Sequence, residues 1–278
     1  MRFTKLKLIL GLALSGLASN LPSQHLHLNA GATNTAAGTP LYFANADTFV
    51  ASSGYVFNLV LRTNGPAIGL YDGGVTFTAL SSDGFDGPPA APGSQLALAV
   101  QSLAGPQDSQ WSFWESDACE DLGCCITFSL LSGTTNGTNL FLLSQNNGLP
   151  GEDPYGHCHG RRYTASKPGL HTLGVQILDV STNGPGGGPI HNPSQVYYLH
   201  FQAGITISRL ARTNNIAMAA FGTRNGSTYY LEANSVLDDS LPWSTVAGPL
   251  GGNNHLQSLT DMTATESRRF YRLRVTTP

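Results

Sequence analysis

The sequence predicts an all-β protein: an antiparallel β-sandwich of Ig-like or jelly-roll-like type, followed by a second, smaller β-sandwich module. Composition is the first observation. Charged residues make up only 11% of the 278, and glycine alone accounts for 32, the balance of a turn-rich β-protein and not of a helical one. The second is a series of short apolar or alternating runs: YVFNLVLR (55–62), VTFTAL (75–80), LALAVQSL (96–103), WSFW (111–114), ITFSLL (126–131), NLFLLS (139–144), LHTLGVQILDV (170–180) and QVYYLHFQA (195–203). The third is the punctuation between them, Asn64-Gly65-Pro66, Asp72-Gly73-Gly74, Asp83-Gly84, Asn136-Gly137 and Gly184 to Pro189. Strands at this spacing, separated by such turns, pack face to face.

The opening residues are read apart from the fold. Arg2, Lys5 and Lys7 precede an apolar stretch from Leu8 to Leu17, and Gly16-Leu17-Ala18 has the small-x-small form of a cleavage site. Residues 1–18 therefore read as a secretory signal peptide, which places the mature chain at the cell surface, in the extracellular space or in a periplasm. Losing them removes three of the 14 basic residues and none of the 17 acidic ones, so the formal charge moves from −3 to −6. No basic stripe remains, which argues against nucleic acid or an anionic membrane as partner. No later apolar stretch is long enough for a transmembrane helix.

In an exported chain disulfides persist, so Cys119, Cys124, Cys125 and Cys158 are disulfide candidates. Adjacent Cys124 and Cys125 rarely bridge each other. The expected options pair one of them with Cys119 and the other with Cys158. A Cys/His zinc site competes, although the spacing of these cysteines is not a standard zinc pattern.

A boundary is expected at Ala203-Gly204, giving a surface-domain sandwich over 19–204 and a C-terminal module over 205–278. In the last strand Tyr271, Leu273 and Val275 alternate with Arg272 and Arg274, one face inward and one outward. Trp243 and Tyr230 are expected core aromatics. With its Tyr-Tyr-Leu-Glu and Arg-Phe-Tyr-Arg segments, this module resembles the short Ig-like units that close many secreted bacterial proteins, which implies a spacer or docking role.

Two His-x-His pairs stand out, Gln24-His25-Leu26-His27 and Tyr155-Gly156-His157-Cys158-His159. On a strand, residues two apart face the same way, so each pair can present two imidazoles to one ion, with His200 the next candidate. Imidazole-rich sites suit zinc, copper, nickel or iron. The competing expectation is an exposed polar strand face. His171, His191 and His255 are expected on the surface.

These motifs also carry a resemblance. His157-Cys158-His159, then Tyr163-Thr164, Pro168-Gly169 and a long apolar strand, with Trp111 to Asp117 upstream and Tyr197 to Gly204 closing the unit, resemble the bacterial surface-anchored domain called choice-of-anchor M. The resemblance covers 24–204. It implies an exported β-domain, with a metal role suggested by the family's histidines and transporter neighbours. The chain departs from the family at Arg161-Arg162 and Leu170-His171.

No Gly-x-Ser-x-Gly, His-Glu-x-x-His or nucleotide loop is present, and Glu115 and Asp117 lie too close together to act across a glycosidic bond. The reading is therefore a non-catalytic protein that binds a transition metal, with other envelope or surface components as further partners. The alternatives are a structural or adhesive envelope protein, or a carbohydrate-binding module using Trp111, Trp114, Tyr155 and Tyr163.

Overall fold

A computed structural model describes residues 27–80, 87–114, 126–143, 162–238 and 240–277. The strands are β1 (His27–Ala32), β2 (Leu41–Phe43), β3 (Val56–Leu61), β4 (Tyr71–Gly73), β5 (Thr76–Ala79), β6 (Leu96–Ala104), β7 (Gln110–Trp114), β8 (Ile126–Leu131), β9 (Asn139–Leu142), β10 (Arg162–Ala165), β11 (Gly169–Asp179) and β12 (Tyr197–Ala203), then β13 (Arg209–Thr213), β14 (Ile216–Gly222), β15 (Thr228–Asn234), β16 (Ser244–Gly251), β17 (Leu256–Asp261) and β18 (Phe270–Thr276). A single turn of helix, α1 (Ala46–Phe49), and a 3-10 turn over Ala51–Ser53 sit between β2 and β3. Among the described residues no helix is long and apolar enough to cross a membrane.

The first twelve strands build a sandwich from one folded sheet and a cover. Nine strands run β8-β7-β10-β4-β3-β12-β11-β6-β9. β3 is the fold line: Val56 to Leu59 pair with β12, and Val60 and Leu61 pair with β4. Laid flat, seven spacings of about 4.8 Å would put β7 roughly 34 Å from β9. Instead Phe113 of β7 stacks on Phe141 of β9 with ring centroids 4.2 Å apart. The two leaves therefore close on each other. A three-stranded sheet, β2-β1-β5, covers the remaining opening, where Phe77 meets both Phe141 and Tyr163.

Alternation explains which side chains face inward. Along β12, Tyr197, Leu199, Phe201 and Ala203 are buried while Tyr198 is exposed, the period-2 pattern of a strand with one face on a core. Two pairs, β12 with β3 and β1 with β5, are parallel. The other described strand pairs are antiparallel. A parallel pair needs a long crossover in place of a tight hairpin, and the chain between these strands supplies one.

Strands β13 to β18 form two further sheets, β13-β14-β17 and β16-β15-β18. Ala219, Phe221, Tyr229, Leu231 and Leu259 make a buried cluster, with Tyr271, Leu273 and Val275 packed against it. Arg272 and Arg274 lie on the opposite face of β18 and both pair with Glu232. The expectation that Tyr230 and Trp243 are core aromatics is corrected. The register of β15 turns Tyr229 inward, which sends its neighbour Tyr230 outward. Arg274 lies 3.9 Å above the Tyr230 ring and Arg272 4.5 Å above Trp243, so these rings support guanidinium groups at the surface.

The two sets of strands touch through polar groups. Val56 N donates to Asn254 O at 2.8 Å, and Leu256 N donates to Gly54 O at 2.7 Å. Asn58 Nδ2 donates to Thr223 O and to Asn254 Oδ1, each at 3.2 Å. The His255 ring meets Tyr55 edge-on at 5.5 Å.

Candidate functional site

Of the expected metal ligands, His27 and His200 are described; His25, His157 and His159 lie outside the described residues, as do Cys119, Cys124, Cys125 and Cys158. His27 opens β1, where Leu28, Ala30 and Ala32 are core residues. Alternation therefore carries His27 away from the core, and its Nδ1 meets Thr78 Oγ1 of β5 at 2.8 Å. His200 sits on the outer face of β12, directly opposite Thr172 of β11, whose Oγ1 lies 2.9 Å from its Nδ1. Burial lowers the His200 pKa, favouring the neutral imidazole that metals require. The two histidines belong to different sheets. Among the described residues there is no group of three or more His, Cys, Asp or Glu able to hold a metal ion.

The histidines expected on the surface are corrected. His171 is 0% exposed and His191 1%. Only His255 is partly exposed, against Tyr55. His171 shares the inner face of β11 with Leu173, Val175 and Ile177. Its Nδ1 donates to Gly169 O at 3.3 Å and its Nε2 accepts from Ser109 Oγ at 2.8 Å. A histidine positioned to take a serine proton is the polarity of a nucleophile and its general base. Ser109, however, is also 0% exposed, so in this conformation the pair faces no solvent. Gly105 permits the arrangement, because a Cβ there would stand 2.8 Å from the imidazole.

This burial has a measurable consequence. Desolvation lowers the His171 pKa below its ordinary value, near 6.5 in an unfolded chain. As pH falls below about 6.5 the unfolded state takes up the proton first, so the stability associated with neutral His171 is present above that pH and lost on acidification. Thermal melts from pH 7.5 to 5.5 should show a falling Tm, and His171→Gln should flatten that slope. Equal slopes would remove His171 as its source.

His191 serves a loop. Its Nε2 accepts from Ala91 N at 2.8 Å, and its own backbone N donates to Asp179 Oδ2 at 3.1 Å. Asp179 also receives Gln95 N, Ser181 N and Ile190 N. These contacts hold the glycine-rich 184–189 turn against the segment before β6.

The aromatic residues considered as a sugar groove are corrected too. Trp111 and Trp114 are 0% exposed and Tyr163 is 1% exposed, so they fill the structure and offer no ring to a ligand; Tyr155 lies outside the described residues. Trp111 packs 5.2 Å from Tyr163 and 6.0 Å from Phe201, and Trp114 Nε1 donates to Thr164 Oγ1 at 2.8 Å.

A cleft of about 460 Å³ opens elsewhere, between the α1 region and the start of β12, with Tyr42, Asp47, Ser52, Gln195 and Tyr198 in its lining. The sequence signal for it is the doublet Tyr197-Tyr198, of which only one ring can face the core. No protein-family model matches the chain, and no curated protein matches it.

Proposed function

We propose that this chain is an exported, non-catalytic protein of the cell surface or extracellular space, of the choice-of-anchor M type. It carries a disulfide among Cys119, Cys124, Cys125 and Cys158 and binds a transition metal, zinc in the first instance, through His157, His159 and His200 with the His25/His27 pair. The observation that carries the metal reading is the pairing of His200 with Thr172. A hydroxyl 2.9 Å from Nδ1 orients the ring through that nitrogen, the support that metal-bound histidines receive from neighbouring groups.

The test uses the chain from Ser19 onward, purified without affinity histidines. One equivalent of zinc should remain after dialysis, and His157→Ala/His159→Ala should lose it. Zinc at about one hundred times its Kd should stabilise the wild type by about 2.7 kcal/mol, roughly 5–10 °C in Tm for a chain of this size, and leave the double variant unmoved. Absence of metal, or equal binding by the variant, overturns the proposal.

A structural or adhesive role is the second reading. It is favoured by the separate sheets to which His27 and His200 belong. On that reading zinc leaves Tm unchanged.

A further inference from the structure

We infer that the cleft beside Tyr198 is a binding site for a neutral saccharide. Tyr198 pairs with Gly174 across β12 and β11. A Cβ at Gly174 would stand 3.3 Å from Tyr198 Cε1 and 2.3 Å from Ser102 Oγ. Any side chain there would lift the tyrosine. Glycine lets the ring settle against the sheet, and the residue still keeps 52% of its surface exposed. An aromatic ring laid on a rigid sheet with one side open is a platform for a flat apolar surface.

The other residues that line the cleft decide what that surface belongs to. Tyr42, Ser52 and Gln195 bring hydroxyl and amide groups that both donate and accept, and Asp47 brings an acceptor. The side chains of Asp47, Ser52, Gln195 and Tyr198 are exposed and open to a ligand. No lysine or arginine lines the cleft, which disfavours phosphate or carboxylate ligands. A purely apolar ligand would bury these polar groups unpaired, at a cost. A sugar ring matches both halves: its C–H face covers the tyrosine while its hydroxyls meet mixed donors and acceptors. The volume lies within the roughly 300–1,000 Å³ of small-molecule sites. This reading is independent of the metal site.

The experiment is isothermal titration of the purified chain with cellohexaose, maltohexaose and chitohexaose, repeated in EDTA so that a metal dependence is visible. At least one should bind saturably, with Kd of about 1 mM or tighter, in both buffers. Tyr198→Ala should weaken that binding about tenfold or more, and Tyr198→Phe should stay within about threefold. Asp47→Ala should weaken it by a smaller factor. Because Tyr198 is half exposed, its variants should melt like the wild type, which confirms that they fold. Binding of none of the three sugars, or undiminished binding by folded Tyr198→Ala, overturns the inference.

Discussion

Asp179→Ala should lower the stability of the folded chain by about 4 kcal/mol and its Tm by roughly 8–16 °C. The carboxylate is 7% exposed and accepts four backbone N–H groups: Gln95 at 3.1 Å and Ser181 at 2.9 Å on Oδ1, Ile190 at 2.8 Å and His191 at 3.1 Å on Oδ2. Hydrogen bonds to a charged group contribute about 1.5–3 kcal/mol each, and they are not additive when they share an acceptor. Removing the acceptor strands several buried donors at once, which dominates the loss. Asp179→Asn should fall between the two, because its amide keeps one acceptor oxygen and turns a donor toward two donors.

The pH dependence provides a second reading of the same contacts. Burial alone would raise the Asp179 pKa, but hydrogen bonds from Ser181, Gln95 and His191 outweigh it and hold the carboxyl below its ordinary value. Its contribution is therefore complete above the unfolded value of about 3.9 and is lost as pH falls through the lower folded value. Denaturant titrations at pH 7 and pH 3 should show the gap between wild type and Asp179→Ala narrowing in acid. A loss under about 1 kcal/mol at pH 7 would mean that the loop holds without its carboxylate.

What could be read from the sequence was local. The runs WSFW and QVYYLHFQA correspond to β7 and β12, and the inward set Tyr271, Leu273 and Val275 of β18 follows from alternation alone. Each depends on a period of two within a few residues. The choices that failed depend on partners far along the chain. Tyr229 and Tyr230 are equivalent until the register of β15 against β18 is set. A lone histidine carries no periodicity, so nothing beside His171 announces Ser109, which lies 62 residues away. The pattern of Trp111 and Trp114 suits a sugar platform as well as a core; closure of the two leaves buries Trp111, and Ala67 and Leu70 cover Trp114. The cleft was hidden for the same reason, because α1 and β12 meet only in three dimensions. The His-Cys-His motif and the cysteines, the strongest chemical signals in the sequence, lie outside the described residues.

Closure of the folded sheet is itself open to measurement, and the rings that report it are Phe113 and Phe141. Phe113 is 0% exposed and Phe141 4%, and their planes are 15° apart in a stacked pair. Phe113→Ala should cost about 3–5 kcal/mol, the range for a large buried ring. That is a substantial fraction of the roughly 5–15 kcal/mol typical of whole domains, so the coupling is better measured with leucine at both positions. Phe113→Leu and Phe141→Leu should each destabilise, and the double variant should fall short of their sum by about 0.5–1.5 kcal/mol, the value of an aromatic pair beyond its buried area. Phe221→Leu, in the separate cluster with Tyr229 and Leu231, is the control and should add to Phe113→Leu within about 0.5 kcal/mol. β7 and β9 share no hydrogen-bonded ladder and stand second and ninth in the sheet order, so an open sheet would leave these residues uncoupled. Coupling between Phe113 and Phe141, with none to Phe221, is a signature of two leaves closed at β3. Additivity in both pairs would mean that the leaves do not meet.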